Sequence, residues 1–208
     1  MAGYVLYGRL ETGSAAAEAA LAEAGAVFGL REVPGGEEAA RASGFLAVNP
    51  RGQVPALVHP SGVVITEGPA ILLHIADAFP AAGLAPRPGS PERARHDRWL
   101  CFLHANCYEG ELRRFYPDRY TTDPGGVEGV RAAAEEYVKR HYLLLESENA
   151  PAPYLFGDQP TVLDLYLWML LQWTERDWTA THCPALLRLV DAAAARPKVA
   201  PVQARHFG

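Results

Sequence analysis

The chain has 208 residues, of which 49% are hydrophobic and 21% charged, and its formal net charge is −5. This length allows a substantial core in one large domain or two small ones. Lys and Arg form no stripe, so we expect no nucleic-acid partner. No apolar stretch approaches the roughly 20 residues of a membrane span, so we expect no membrane partner.

The cellular location follows from the start of the chain and from its cysteines. The first four residues, Met-Ala-Gly-Tyr, lack the pattern of a signal peptide. Cys101, Cys107 and Cys183 are an odd set without close pairing, which indicates free thiols in a reducing compartment. We therefore expect a cytoplasmic protein.

The chain opens with a βαβ pattern. Residues 4–7 favour a strand, and residues 8–13 form a loop before the alanine-rich helix that Ser14 begins. Gly25 is placed to end this helix as its C-terminal cap. Residues 28–33 supply the second strand, and its crossover from the first should be right-handed.

The next segment completes a first domain, predicted to cover residues 1–78. Residues 37–47 predict a weak helix interrupted by Gly44, and residues 56–58 and 63–65 predict a hairpin. A helix begins at about Glu67. The order β-α-β-α-β-β-α is the thioredoxin-like α/β pattern.

The dipeptide Val54-Pro55 precedes the hairpin. Pro55 has no backbone N–H, so the sheet cannot continue on that side and the backbone of Val54 stays open. A cis Val54-Pro55 bond would turn the Val54 N–H and C=O outward, where a peptide-like ligand pairs as an added strand. Glu67 lies beside the N–H groups that open its helix, which offers an acceptor for an ammonium group and donors for a carboxylate. This arrangement suits an amino-acid-like end.

The second part of the chain changes character. Residues 79–91, rich in Pro and Gly, predict a linker. An all-α domain is predicted over residues 92–208, with helices at about 91–115, 127–148, 161–173 and 184–195 and a short one after Lys198. Thr161 and Asp164 have capping-box spacing, and loss of the cap should cost about 0.5–2 kcal/mol of stability rather than activity. The helix after Thr161 is apolar on nearly every side, which is typical of a central buried helix.

These motifs together resemble the glutathione S-transferase family, and the pattern is most similar to its bacterial members. The matching residues are Val54-Pro55, Thr66-Glu67, the helix 70–77 and Thr161-Val162-Leu163-Asp164, in order and over nearly the whole chain. The resemblance implies a thioredoxin-like domain followed by a helical domain, glutathione as co-substrate, no metal, and a homodimer. It also implies transfer of the glutathione thiolate to a small hydrophobic electrophile. Glutathione-dependent peroxide or disulfide reduction and a non-catalytic binding module are the alternatives.

The resemblance also implies which residues hold glutathione. Glu67 would hold the γ-glutamyl ammonium, Val54 would pair with the cysteinyl backbone, and Gln53 would help at the glycyl end. The family usually has Ser or Thr after the acidic residue, whereas this chain has Gly68. Gly68 keeps the backbone N–H but lacks a hydroxyl hydrogen bond worth about 0.5–1.5 kcal/mol.

Activation of the thiol calls for a donor at the junction of the first strand and helix, where Tyr7, Thr12 and Ser14 compete. Ser14 is preferred, because a donor at a helix N-terminus adds its hydrogen bond to the helix dipole. Ser14 as a helix cap and Tyr7 as an interior aromatic residue are the structural alternatives.

The electrophile should lie near Tyr108, on the first long helix of the second domain. Asn106 and Tyr108 are further candidates for contact with glutathione, whereas Arg113 and Arg114 suit either polar contacts in the site or a solvated helix face. The remaining aromatic and thiol groups are assigned to the core: Trp168, Trp173, Trp178, Cys101 and Cys107. Cys101, His104 and Cys107 occur at three-residue steps, but they turn around the helix and no fourth metal ligand is apparent, so no metal site is expected.

Overall fold

A computed structural model of the chain describes residues 3–148 and 153–208. Residues 1–2 and 149–152, which fall in our predicted domains, lie outside the described residues. The domain boundaries themselves stay predictions.

The first half is built on a four-stranded mixed sheet in the order β2-β1-β3-β4. The β1 and β2 strands are parallel, with Val5 opposite Gly29, and β3 is antiparallel to both β1 and β4. The predicted thioredoxin-like pattern is therefore confirmed. The strands are β1 Tyr4–Gly8, β2 Phe28–Glu32, β3 Ala56–Val58 and β4 Val64–Thr66.

Helices cover this sheet and dominate the second half of the described chain. Gly25 ends α1 in the left-handed conformation, as expected for a C-terminal cap. The helices are α1 Ser14–Ala24, α2 Glu37–Ala42, α3 Gly68–Ala78, α4 Pro91–Phe102, α5 Glu109–Phe115, α6 Val127–Glu148, α7 Val162–Leu171, α8 Arg176–His182, α9 Pro184–Ala194 and α10 Ala200–Phe207.

Three helix predictions differ from the structure. Gly44, with φ of 76°, separates α2 from a single 3₁₀ turn, so the predicted helix 37–47 is shorter. The predicted helix 91–115 contains a π-helical segment, Leu103–Tyr108, between α4 and α5. The short helix α8 was missed, because its seven mostly polar residues carry little apolar periodicity.

The central helix α7 organises the core. All ten of its residues are buried, as its apolar sequence predicted. The capping box is present: the Thr161 N–H donates to Asp164 Oδ2 at 2.7 Å, and the Thr161 hydroxyl donates to the same oxygen at 2.8 Å. One hydrophobic cluster contains residues of α1, α3, α7 and α9, so the two halves of the chain share a core.

The end of the chain packs back onto α1. His206 Nε2 lies 2.9 Å from Glu18 Oε2, and both side chains are buried. Arg196 Nε donates to Glu23 Oε1 at 2.7 Å, and Lys198 donates to the Glu23 carbonyl. These contacts hold α1, and with it the loop that precedes α1, against the helical half.

Among residues 3–148 and 153–208, no helix combines the length and the apolar character that crossing a bilayer requires.

Candidate functional site

A crevice of about 990 Å³ lies between the sheet half and the helical half of the molecule. On the sheet side it is lined by the loop after β1, by the segment before β3 and by the start of α3. On the helical side it is lined by the π-helical segment, by α5 and by the end of α7. Both halves therefore contribute to one open cavity of a size that suits a small ligand.

The segment before β3 brings Val54 and Glu67 to the same wall. Ala56 pairs with Thr66 at one end of the antiparallel β3–β4 ladder. Pro55, which precedes Ala56, and Glu67, which follows Thr66, therefore both lie just beyond that end of the ladder. The Val54-Pro55 bond is cis, as considered from the sequence. Val54 lies outside the ladder and lines the crevice, and so does Glu67.

Glu67 has an unusual backbone and a charged partner. Its φ is 67°, a left-handed conformation that is rare for a residue with a side chain and that recurs at functional sites. Its Oε1 accepts a hydrogen bond of 2.7 Å from Arg51 Nη1, and about half of each side chain is exposed. The carboxylate is therefore held at the crevice surface, where a ligand can reach it. Gln53 and Gly68 also line this wall.

Two hydroxyl groups lie close together where the loop after β1 enters α1. Thr12 Oγ1 and Ser14 Oγ are 2.9 Å apart, and they lie 2.7 and 2.8 Å from the Arg9 carbonyl oxygen. The Arg9 N–H donates to Ser14 Oγ at 3.1 Å. Thr12 lines the crevice, whereas Ser14 is buried behind it. Ser14 is also not the helix cap, because Gly13 occupies that position.

The two hydroxyls have one hydrogen each for three possible contacts. Only two of the contacts between Thr12, Ser14 and the Arg9 carbonyl can carry a donated hydrogen at one time. When Ser14 donates to Thr12, the Thr12 hydrogen is available to a group in the crevice. The pair is thus able to present one donor beside the N-terminus of α1.

Two sequence-predicted site residues lie elsewhere. Tyr7 stacks on Phe45, with ring centroids 5.5 Å apart, and does not line the crevice. Asn106 donates to the Phe102 carbonyl and accepts from the Tyr137 hydroxyl at 2.6 Å, so its side chain is turned toward α6. The π-helical segment changes which side chains share a face, and the sequence spacing gave no sign of it.

The helical wall presents His104 and Tyr108 instead. Their rings stack with centroids 5.4 Å apart, and Tyr108 also lies 6.2 Å from Tyr166 and 5.8 Å from Trp173. A Cβ added at Gly13 would lie 3.0 Å from the Tyr108 hydroxyl, so this hydroxyl is directly over the start of α1. Burial raises the pKa of Tyr108 to about 12, which keeps it a protonated donor at neutral pH.

His104 was considered from the sequence only as a metal ligand, although it faces the crevice. Its Nδ1 lies 2.9 Å from the Tyr166 hydroxyl, and its Nε2 lies 3.8 Å from Glu67 Oε2. Burial lowers the pKa of His104, so the ring is neutral at neutral pH. His104 and Tyr108 are four residues apart, a spacing that brings side chains together on a helix, but the sequence did not show that this pair faces the crevice.

Two arginines and three tryptophans remain of the residues considered from the sequence, and most of them make structural contacts rather than line the crevice. Arg114 is a structural residue, since it bonds to Glu111 and to the Trp173 carbonyl, and Arg113 lies over the rings of Tyr120 and Tyr137. Trp173 lines the crevice, which corrects its assignment to the core. Trp168 is buried as predicted, and Trp178 is half-buried and stacks on His182.

The three cysteines are free thiols that differ in exposure. Cys107 is buried as expected, whereas Cys101 is exposed, which corrects its assignment to the core. Burial raises the pKa of the Cys107 and Cys183 thiols, so neither is an activated nucleophile. In the described residues no three His, Cys, Asp or Glu side chains are grouped so that they could hold a metal ion.

Comparison with known proteins identifies the family. The model of the glutathione S-transferase N-terminal domain matches residues 1–77, and that of the C-terminal domain matches residues 128–200. The uncharacterized GST-like protein YncG of Escherichia coli (strain K12) is 33% identical over 160 residues, which cover 76% of each chain.

Solved structures agree over the full length. A sphingomonad glutathione S-transferase complexed with glutathione is 35% identical, with a TM-score of 0.81, over 98% of this chain and 100% of that one. A glutathione transferase homolog from Sulfitobacter with bound glutathione is 26% identical, with a TM-score of 0.88, over 98% of both chains. The fold, the domain models and these relatives together show that the protein belongs to the glutathione S-transferase family.

Proposed function

We propose that the protein binds glutathione in the crevice and transfers its thiolate to a small hydrophobic electrophile. One observation carries the proposal: Val54, Glu67 and the loop that opens α1 line a single cavity. Two similar structures contain glutathione, which supports the same ligand here.

The tripeptide would lie along the sheet wall. The γ-glutamyl ammonium pairs with Glu67, and the cysteinyl backbone pairs with the N–H and C=O of Val54 as a short added strand. Gln53, which is exposed and lines the crevice, lies on the side of Val54 away from β3 and is placed for the glycyl end. This orientation directs the sulfur toward the start of α1.

Activation of the thiol requires stabilisation of its anion. A free thiol has a pKa of about 8.5, and lowering it by two units takes about 2.7 kcal/mol of preferential anion stabilisation. Thr12 would donate to the sulfur, with Ser14 donating to Thr12 behind it, and the N-terminus of α1 adds its dipole. Tyr108 supplies a second hydroxyl from the opposite wall. Ser14 thus acts through Thr12, whereas Tyr7 has no route to the sulfur.

The reaction then follows from the bound thiolate. The sulfur attacks the electrophilic carbon and forms a C–S bond, while the leaving group departs with its electron pair and the thiol proton passes to solvent. The apolar part of the crevice is suited to hold the electrophile next to Tyr108. This apolar part of the crevice is lined by four exposed or half-buried side chains: Leu112, Phe115, Tyr116 and Trp173.

A thiol titration tests the proposal. Glutathione is added at millimolar concentration, binding is measured by calorimetry, and the thiolate absorbance of the complex is followed against pH. We expect binding and a thiol pKa lowered by about two units. Absence of binding would leave a protein that uses the fold as an interaction module, and binding with an unshifted thiol pKa would contradict the transferase mechanism.

The homodimer that the family resemblance implies is part of the same proposal. Size-exclusion chromatography with light scattering measures the mass in solution directly. A mass near 45 kDa, about twice the 22.6 kDa of one chain, is expected.

A further inference from the structure

The start of α3 is covered by a side chain from the helical half. A Cβ added at Gly68 would lie 3.3 Å from Tyr166 Cε2 and 3.6 Å from the Tyr166 hydroxyl oxygen. Tyr166 lies on the buried helix α7 and also lines the crevice. Its hydroxyl is therefore fixed within a few ångströms of the position that a short hydroxyl side chain at residue 68 would occupy.

His104 connects this hydroxyl to Glu67. One ring nitrogen, Nδ1, is 2.9 Å from the Tyr166 oxygen, and the other, Nε2, is 3.8 Å from Glu67 Oε2. Nε2 thus faces Glu67 at the N-terminus of α3, and Nδ1 faces Tyr166, which covers that N-terminus.

The neutral histidine has two ways to place its single ring hydrogen. With the hydrogen on Nε2, Nδ1 accepts from Tyr166 and the tyrosine hydrogen is used. With the hydrogen on Nδ1, the ring donates to the Tyr166 oxygen, the tyrosine hydrogen points to another acceptor, and Nε2 becomes an acceptor itself. The second arrangement offers an acceptor near Glu67 and a donor near Gly68.

We propose that His104 and Tyr166 recognise the free α-amino-acid head of the γ-glutamyl residue, with Tyr166 in place of the hydroxyl that Gly68 lacks. This inference rests on the proposed glutathione site. The ligand ammonium donates to Glu67 and to His104 Nε2, His104 Nδ1–H donates to Tyr166, and the Tyr166 hydroxyl donates to the ligand α-carboxylate. The Gly68 N–H is the second donor to that carboxylate.

The glycine at position 68 leaves room for the Tyr166 ring. A Cβ at this position would meet Tyr166 Cε2 at 3.3 Å, closer than a relaxed carbon–carbon contact, so the ring would have to shift by a few tenths of an ångström and its contact with His104 would change. Burial lowers the pKa of His104, which supports the neutral ring that the chain of hydrogen bonds needs.

The test compares glutathione with 4-aminobutyryl-cysteinyl-glycine, which keeps the ammonium and lacks the α-carboxylate. Affinities are measured by calorimetry for the wild type, Tyr166→Phe and Arg51→Gln. We expect Tyr166→Phe to weaken glutathione binding about tenfold and to leave the affinity for the analogue nearly unchanged, since one hydrogen bond to a charged group is lost. Arg51→Gln is the matched control, because it removes the positive charge that pairs with Glu67 while Tyr166 is intact.

The outcomes separate this inference from the proposed function. A wild type that binds neither peptide would contradict the proposed glutathione site itself. A wild type that binds glutathione, with Tyr166→Phe weakening both peptides equally, would overturn the role of Tyr166 alone. The same holds if Arg51→Gln, and not Tyr166→Phe, abolishes the preference for glutathione.

A second variant tests the hydrogen-bond chain from the other side. Gly68→Ala presses on the Tyr166 ring without removing its hydroxyl, so it should weaken glutathione binding, by no more than Tyr166→Phe does. In the double variant with Tyr166→Phe, the two effects should not add, because both act on the same contact. Additive losses would show that the two residues act separately and would contradict the proposal.

Discussion

Trp173 Nε1 donates a hydrogen bond of 3.2 Å to the backbone carbonyl of Glu11, although 162 residues separate them. Glu11 belongs to the loop before α1 and has a left-handed backbone, with φ of 59°. Trp173 follows α7 on the opposite wall of the crevice. This bond therefore joins the two halves of the molecule beside the hydroxyl groups proposed to meet the thiol.

Replacing Trp173 by Phe keeps a ring in place and removes the N–H. The lost hydrogen bond should cost about 0.5–1.5 kcal/mol, and the ring, which lines the crevice beside the proposed electrophile position, gains freedom. We expect the KM for an aromatic electrophile to rise several-fold, with the glutathione Kd changed by less than about twofold. Steady-state kinetics and calorimetry measure the two quantities. An equal change in both would place Trp173 in the glutathione site.

The hydroxyl pair before α1 predicts different effects for its two members. Thr12→Ala removes the donor that faces the crevice, so the pKa of the bound thiol should rise by about one unit, equivalent to about 1.4 kcal/mol. Ser14→Ala should raise it less, but it leaves the partly buried Arg9 N–H without its acceptor and should destabilise the fold by about 1–3 kcal/mol. Thiolate absorbance and urea denaturation measure these effects.

Tyr7→Phe is the control for this pair. Its hydroxyl does not reach the crevice, so the thiol pKa should match that of the wild type. A larger pKa change in Ser14→Ala than in Thr12→Ala would reverse the order proposed for the two hydroxyls.

His104 predicts a pH dependence of binding. Burial lowers its pKa below the ordinary 6.5, the Glu67 and Glu109 carboxylates act in the opposite direction, and Arg51 lowers it further. The fold favours the neutral form of His104 over the protonated form. This contribution to the free energy of unfolding is therefore fully present above about pH 6.5 and is lost as the pH falls toward the lower folded pKa. Glutathione affinity should weaken over that same acidic range, because an imidazolium repels the ligand ammonium.

Calorimetry at several pH values compares the wild type with His104→Gln. The glutamine variant cannot take up this proton, so its affinity should vary less with pH across the range. Parallel pH profiles for the two proteins would contradict the role of His104.

Two arginine ion pairs predict unequal contributions to stability. Arg93 is about 10% exposed and donates to Asp77 at 2.7 Å and to Asp97 at 2.8 Å, which ties α3 to α4. Arg51 is about 61% exposed, so water screens its pair with Glu67. Arg93→Gln should lower the free energy of unfolding by about 1.5–3 kcal/mol, whereas Arg51→Gln should lower it by less than about 1 kcal/mol.

Chemical denaturation against pH gives a second check on Arg93. Its hydrogen bond lowers the pKa of Asp77 below the ordinary 3.8. This contribution is present above about pH 3.8 and is lost as the pH falls through the lower folded value. The stability difference between the wild type and Arg93→Gln should therefore shrink in acid, and a constant difference would contradict the pairing.

Local sequence signals were sufficient for much of the fold. The strands, the αL cap at Gly25, the capping box of Thr161 and Asp164 and the buried helix α7 depend on neighbours within a few residues, so periodicity and cap chemistry predicted them. Val54 and Glu67 could be predicted to lie on one wall for the same reason, because the hairpin that joins them is local. The order of these motifs was also enough to indicate the family.

The helical wall of the crevice depended on packing between segments distant in sequence. The π-helical turn at Leu103–Tyr108 turns Asn106 toward α6 and leaves His104 and Tyr108 facing the sheet half. The spacing of these residues in the sequence does not predict that rotation. Only the packing of α7 over α3 brings Tyr166 next to Gly68. On the other wall, the fold of the loop after β1 determines that Thr12, rather than Ser14, faces the cavity. The sequence by itself thus determined the sheet wall of the site, whose contacts are local. The tertiary structure decided the opposite wall, because the angles and rotations of packed helices are set by contacts across the whole core.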